Sequence, residues 1–512
     1  MEILLKKIKN TPDRIDPSLL SPKEKDELIV YQYEKNKEQS KYLAWLKEQF
    51  KLMKSKRYGK SSEKTSAKQL SLFDEDDTCT QEETSPEKET LTYTRKKPQR
   101  KKPLDTTHLP REKRFIDLNS QECDCGQTLV KLGEESREEL VFQPAKLYVI
   151  EHIRPKYTCR HCNTIKQAPP VLLPINKSKA SASLLTTIIL NKYKYHLPFY
   201  RQSKWFKQYG LSLSDQTIAS WVMKAADQLS PLGEAFWGAL SKVKALQADE
   251  TPVKVLRPEK KGYMWLYHSY LPGQRFILFD FHLSRSSKAV NHRLENFKGL
   301  LQTDGYSGYN TQRQREGIIS LGCWDHARRK FVDVVKAAGK SKGGKADMVL
   351  AKIGKLYALE RELKGQSSAD RQSLRQKKAR PILDGLYQFL QKIHAPPKSL
   401  LGIAVTYCVN QWSDLTRYVD HGDAELSNCW IENQVRPFAV GKRNWLFVGN
   451  EASAKKAALL YSLIQSCELN GINPGDYLMT VLNQVHAMRR KTVNPSTLLP
   501  HTIDQSSLIS FS

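Results

Sequence analysis

The rhythm of apolar and polar positions changes several times along the chain, and each change marks an expected boundary. Residues 22–57 lack Gly and, after Pro22, Pro, and are rich in Lys, Glu and Leu, which predicts a helix. A heptad frame sets Ile29, Asn36, Leu43 and Phe50 at a, with Gln32, Gln39, Leu46 and Met53 at d. Only the second half of that seam is apolar, so the segment reads equally as a short coiled coil with a register-setting Asn and as a plain amphipathic helix. From Tyr58 to about 103 the rhythm gives way to Ser, Thr, Lys, Glu and Pro, with acids at Asp74 to Asp77 and the basic run RKKPQRKK at 95–102. That composition cannot bury a core and predicts a flexible charged linker. Helical spacing returns over 180–230, broken at Pro198 and Gly210. There WFKQYGLSLSDQTIASWVMKAADQL predicts a helix, a turn at Gly210 and a second helix capped by Ser214, the outline of a helix-turn-helix.

From residue 242 the period shortens. VKALQADETPVKVL, GYMWLYHSY and RFILFDFHLS, separated by polar breaks with Gly262 and Gly273, predict an antiparallel meander. A helical stretch at 286–298, a fourth strand GLLQTDGY, a fifth strand GIISLGCW and a helix from about His326 follow. Residues 340–425 are largely helical in pattern. The expected fold class is multidomain α/β, with a mixed sheet flanked by helices. Expected segments are 19–57 helical, 58–105 linker, 106–175 cysteine-bearing, 176–235 helical, 236–450 the main sheet domain with a helical insertion at 335–424, and 451–512 helical.

Charge narrows the partners. Among 512 residues, 82 Lys and Arg stand against 54 Asp and Glu, a net charge of +28. A surplus of that size favours a polyanion, because each neutralised phosphate releases counterions. The N-terminus carries no charged-then-apolar leader and no apolar run approaches the ~18 residues that span a bilayer, so a cytoplasmic protein without membrane contact is expected. Cysteines in that compartment are read first as metal ligands. Cys159 and Cys162, in CRHC, stand 34 residues beyond Cys125, itself two from Cys123. Two thiolate pairs so spaced suit structural tetrahedral zinc, with Glu122, Asp124, His152 or His161 as possible substitutes because the first pair is one residue tight.

In LQADETPVKVL, Asp249 and Glu250 interrupt a strand that otherwise reads as buried, where desolvation of a carboxylate is costly. Alternation sends the two side chains to opposite faces. Asp304 closes the fourth strand, and if the first and fourth strands are neighbours, Asp249 and Asp304 come side by side. Such a pair repels unless a cation lies between, and hard oxygen ligands suit Mg²⁺ (or Mn²⁺), which in pairs about 3.5–4 Å apart serve phosphoryl displacement. A third acid is then expected on a packed helix. Glu432 in SNCWIENQVRPF fits, with Ser427 as a cap and Arg436 one turn beyond; Asp325, Asp423 and Glu425 compete for the role.

The segments ADETPVKV, TDGYSGYN, CWDHARRKF and IENQVRPFAVGKRNWLF resemble those of transposases of the insertion sequence 66 family. So do RYGKSSEK, YTCRHC, NKYKYHLPFYRQ and LNGINPGDYL, collinearly from about 25 to 490. The resemblance implies a zipper-like N-terminus, a zinc-finger segment, a helical segment and an RNase H-like catalytic domain with a helical insertion. It also implies that the acids of the DDE triad fall on Asp249, Asp304 and Glu432. Two departures stand out: the first cysteine pair is C-x-C rather than C-x-x-C, and Ser427, Asn428 and Cys429 replace the family's DNN. The implied activity is metal-dependent cleavage at insertion-element ends and strand transfer into target DNA. His326, Arg328, Arg329, Arg436, Lys442 and Arg443 are then candidates for phosphate or transition-state contacts. Implied partners are double-stranded DNA, further copies of the chain and small accessory proteins of the element, in a bacterial nucleoid setting. The rival readings are a structure-specific nuclease of the same fold and a DNA-binding zinc protein without catalysis.

Overall fold

The computed structural model describes residues 21–58, 147–150, 156–158, 165–167, 171–176, 178–338 and 344–511. Cys123, Cys125, Cys159 and Cys162, and the 59–105 stretch, lie outside the described residues. The architecture below is that of one compact unit, Met1–Leu72 with His152–Ser512.

The N-terminal helix α1 spans Pro22–Tyr58 without interruption. Leu28 and Leu52 are buried, whereas Ile29, Leu43, Leu46, Phe50 and Met53 of the heptad seam are exposed. The Glu48 carboxylate accepts a hydrogen bond from the Leu400 amide at 3.1 Å, which ties this helix to the helical layer described below. Two three-residue strands, β1 (Lys156–Thr158) and β2 (Ile165–Gln167), pair antiparallel with Thr158 opposite Ile165. Along the chain they flank the CRHC sequence.

Helices α2 (Ala182–Tyr193), α3 (Phe199–Gln208), α4 (Asp215–Gln228) and α5 (Ser230–Leu240) follow. Between α3 and α4, Gly210 takes φ +79°, a left-handed turn that only Gly adopts cheaply. Ser214 caps α4 by accepting from the Thr217 amide at 3.1 Å, satisfying a donor the helix cannot pair internally. The helix-turn-helix outline is therefore formed.

The main sheet comprises β3 (Ala245–Val255), β4 (Lys260–Ser269) and β5 (Phe276–His282), then helix α6 (Ser287–Arg293), β6 (Gly299–Gln302), helix α7 (Asn310–Arg313) and β7 (Ile318–Leu321). Its order is β5-β4-β3-β6-β7. The first three strands form the antiparallel meander. β6 joins β3 in parallel on the other side and β7 joins β6, also in parallel. The fold is thus a mixed five-stranded sheet among helices, as an α/β pattern requires.

After β7 come α8 (Trp324–Ala338), α9 (Lys345–Glu362), α10 (Ser368–Leu374), α11 (Arg380–Gln391), α12 (Leu400–Asn410) and α13 (Trp412–Thr416). The chain then returns to the sheet through α14 (Cys429–Trp445), α15 (Glu451–Leu469), α16 (Pro474–Asn483) and α17 (Val485–Arg489). Two apolar cores result. One joins β3–β5 to α2, α4, α5 and α14–α16. The other joins Leu300, Leu321 and Trp324 to α8–α12. The β5 edge is covered rather than bare: the Ile277 and Phe279 amides donate to the Ser466 and Ser462 hydroxyls of α15 at 3.0 and 2.8 Å. Within the helical layer, fully buried Arg375 is neutralised by Glu360 and also donates to the carbonyls of His421 and Ala424. That arrangement anchors the segment leading into α14. Among the described residues no helix is long and apolar enough to cross a membrane.

Candidate active site

Parallel pairing puts Gln247 of β3 opposite Gln302 of β6. Asp249 and Asp304 each lie two residues further on, Asp249 still within β3 and Asp304 just past the end of β6, and Asp249 feels the charge of Asp304. The Asp249 carboxylate accepts from the Glu250 amide at 2.8 Å. Burial first, and then the negative charges of Glu250, Asp304 and Glu432, push the Asp249 carboxyl up to about 8. A carboxyl so placed keeps its proton near neutrality unless a cation replaces it.

Asp304 sits at the turn that follows β6. Its carboxylate accepts from the Tyr306 amide at 2.8 Å, and Gly305 between them takes φ +86°. The Tyr407 hydroxyl donates to the Asp304 carbonyl at 2.7 Å, so the helical layer holds this turn from outside the sheet.

Glu432 occupies the first turn of α14, where the partial positive charge of the helix N-terminus favours a carboxylate. The cap position belongs to Asn428, which makes no side-chain cap bond. Ser427, expected to cap this helix, is instead buried, and its carbonyl accepts from Gln247 at 3.0 Å. On α8, Arg329 donates to one Glu432 oxygen at 3.1 Å. His326 Nδ1 faces the other oxygen at 3.7 Å, outside hydrogen-bonding range. Both of those facing atoms are buried and have no hydrogen-bond partner among the described residues. Burial, only partly offset by the negative charge of Glu432, pulls the His326 pKa down and so favours neutral imidazole. Among the described residues no three His, Cys, Asp or Glu side chains converge tightly enough to enclose a metal as they stand. Glu432 is held on Arg329 instead, although Asp249 still feels its charge.

The remaining expected contacts separate into two groups. Arg328 turns toward Asp325 at 3.8 Å. Asp325 itself is buried and receives the Tyr357 hydroxyl and the Cys429 thiol, an internal role rather than an open one. Glu425 pairs with Arg371 at 3.2 Å. Arg436 is exposed on α14. Lys442 donates to the Pro252 carbonyl at 2.8 Å and, with Arg443, lines an open groove of about 620 Å³ that Lys254, Lys260 and Lys261 also line. Burial and then the charges of Arg443 and Lys261 depress the Lys442 pKa, as crowding of like charge does.

Sequence reading missed what Glu250 does. Its side chain is only 3% exposed; it pairs with Arg285 and accepts the Tyr309 hydroxyl at 3.0 Å. Arg285 in turn lies over the Tyr306 ring, its guanidinium carbon 3.7 Å from the centroid, a cation–π contact beside Asp304. Arg285 stands 35 residues from Glu250, and no local pattern announces the pair.

Comparison with known families and proteins now bears on this arrangement. Residues 177–456 match the family described as "Transposase IS66 family". Residues 120–163 match "zinc-finger binding domain of transposase IS66", and 45–114 match "Transposase C of IS166 homeodomain". The chain is similar to the uncharacterized protein y4jD of Sinorhizobium fredii, 32% identical over 412 residues that cover 77% of this chain and 80% of the relative. It is also similar to the uncharacterized protein y4hP of the same organism, 29% identical over 437 residues, or 80% and 78% of the two chains.

Proposed function

Since the chain belongs to the IS66 family of transposases, whose match spans more than half of its 512 residues, we propose that Asp249, Asp304 and Glu432 are its catalytic acids in an RNase H-like domain, with 335–424 a helical insertion. The reading is carried by one observation: Asp249 and Asp304 each follow by two residues the paired Gln247 and Gln302 of adjacent parallel strands, and burial and the acidic neighbours raise Asp249 to about 8. The donor set fits a hard divalent cation, because three carboxylates supply only oxygen and one Glu432 oxygen is buried without a partner. When bound there, Mg²⁺ or Mn²⁺ supplies charge stabilisation at the scissile phosphate and acidifies the attacking hydroxyl or water.

The protein's own groups account for the rest. Arg329 neutralises Glu432, and were Glu432 to hold a cation, Arg329 would be left to face a phosphate oxygen. His326, neutral at physiological pH, accepts or returns a proton at the reacting phosphate. Cleavage places water oxygen on phosphorus and breaks the bond to the 3′ oxygen, leaving a free 3′ hydroxyl on the element end. Strand transfer then forms one phosphodiester and breaks another, so it needs no external energy source. Arg328, Arg436, Lys442 and Arg443, with Lys254, Lys260 and Lys261, contact the backbone of double-stranded DNA. Zinc, which the match of residues 120–163 to a zinc-finger domain suggests, would be held by Cys123, Cys125, Cys159 and Cys162. The setting is the cytoplasm, with further copies of the chain and the element's small proteins as partners.

Incubating the protein with its element's end DNA, a target plasmid and Mg²⁺ tests this. Joined end–target products are expected. Cleavage without joining makes it a nuclease, and binding without cleavage makes it a DNA-binding protein.

A further inference from the structure

One tetrapeptide pattern, Leu-Gln-x-Asp, is written twice: Leu246–Asp249 in β3 and Leu301–Asp304 at the end of β6. Parallel pairing brings the two glutamines opposite each other. Both are 0% exposed, in a sheet whose neighbouring positions are filled largely by apolar side chains. Burying two amides there is unfavourable unless every donor is used.

Every donor is used. Gln247 Nε2 donates to Gln302 Oε1 at 2.8 Å and to the Ser427 carbonyl at 3.0 Å. Gln302 Nε2 donates to the carbonyls of Gly322 at 3.0 Å and Glu425 at 2.8 Å. The Ile431 amide, next to Glu432, donates to Gln247 Oε1 at 3.1 Å. These five bonds reach each segment that carries a proposed site residue. They join the strand bearing Asp249, the strand leading to Asp304, the turn before the helix with His326 and Arg329, and both sides of the entry to the Glu432 helix. An apolar pair of the same size would fill the volume but fix none of these segments against another, because dispersion contacts lack direction.

We propose that Gln247 and Gln302 form an interstrand clamp whose task is to set the spacing of the three carboxylates, making them positioning residues for the divalent cation. The proposal rests on the reading of Asp249, Asp304 and Glu432 as its ligands. Outer groups that orient metal ligands typically change affinity by about 10-fold to 100-fold when lost.

The test uses the full chain with Gln247→Met, Gln302→Met and the double variant, which keep volume and remove the amides. Mn²⁺ binding is followed by its paramagnetic signal, with Asp249→Asn as the reference lacking one ligand. Binding to end DNA is measured in EDTA, and folding by thermal melting. We expect the Mn²⁺ half-saturation point to rise about 10-fold or more in each single variant. The double variant should be no worse than either single one, since both amides act as one unit. DNA binding in EDTA should be unchanged. Lower melting temperatures with unaltered Mn²⁺ binding, or independent effects that multiply in the double variant, overturn the clamp. Equal Mn²⁺ binding by wild type and Asp249→Asn overturns the metal site itself and the clamp with it. Should a Met variant fail to fold, Gln302→Asn keeps the amide but shortens its reach, and the same shift in half-saturation is expected of it.

Discussion

Asp249→Asn changes one charge in the centre of the proposed site and leaves its shape alone, since the Asn oxygen still accepts from the Glu250 amide. The Asp249 carboxyl is raised from 3.8 to about 8, a span of about four units. At about 1.36 kcal/mol per unit, the ionised carboxylate costs the folded protein on the order of 5 kcal/mol, and screening by entering water brings the measurable part to roughly 2–3 kcal/mol. The sign follows from the direction of the shift. Folded protein binds this proton more tightly than unfolded protein does, so metal-free wild type loses stability as pH climbs from about 4 through about 8. Asparagine does not titrate, so the variant lacks that slope. Melting curves in EDTA at pH 5 and pH 8.5 should show the two proteins similar at the lower pH. At the higher pH the variant should melt about 3 °C above wild type. Adding Mg²⁺ at pH 8.5 should recover wild type and leave the variant nearly unmoved, because the cation repays a charge that the variant no longer carries. A difference between the two proteins that is independent of pH, or equal stabilisation of both by Mg²⁺, refutes the reasoning.

Three further outcomes are expected. Glu250→Gln breaks the charge pair between buried Glu250 and exposed Arg285 and weakens the bond from Tyr309, so chemical denaturation should report a loss of about 1–2 kcal/mol, with DNA binding retained. Replacing Lys260, Lys261 and Arg443 with Ala strips the basic groove. The slope of log affinity against log salt should fall by about 2–3, while the cleavage rate at saturating DNA holds. Metal analysis should find about one zinc per chain, lost when Cys159 and Cys162 become Ser, and an unchanged zinc content would remove the tetrahedral assignment.

Much of the sheet could be read from sequence because strand periodicity is local. Three β-rich runs gave three antiparallel strands, and the guess that the first and fourth strands are neighbours corresponds to β3 beside β6. The turn at Gly210 and the Ser214 cap were legible for the same reason, as both are decided within a few residues. What could not be read depends on distant partners. Ser427 has the composition of a cap, yet the buried Gln247 amide, 180 residues away, claims its carbonyl, and Asn428 takes the cap position. Glu250 looked like the idle half of an alternating pair, and only the folded chain brings Arg285 and Tyr309 to it. The length of α1 was legible, but its half-apolar heptad seam buries nothing, and that Leu28 and Leu52 are buried instead is decided by packing against the rest of the chain.

The central claim is that Asp249, Asp304 and Glu432 hold the catalytic cation and do little for DNA binding. It is tested most directly by cleavage of labelled element-end DNA in Mg²⁺, at protein concentrations that saturate the DNA. Wild type is compared with Asp249→Asn, Asp304→Asn and Glu432→Gln. All three variants should bind end DNA at least as tightly as wild type, because removing a negative charge lowers repulsion of phosphate. Each should cleave on the order of 10³-fold more slowly or worse, because a lost ligand forfeits much of the cation's stabilisation of the transition state. Cleavage at the wild-type rate by any one of the three would contradict the account.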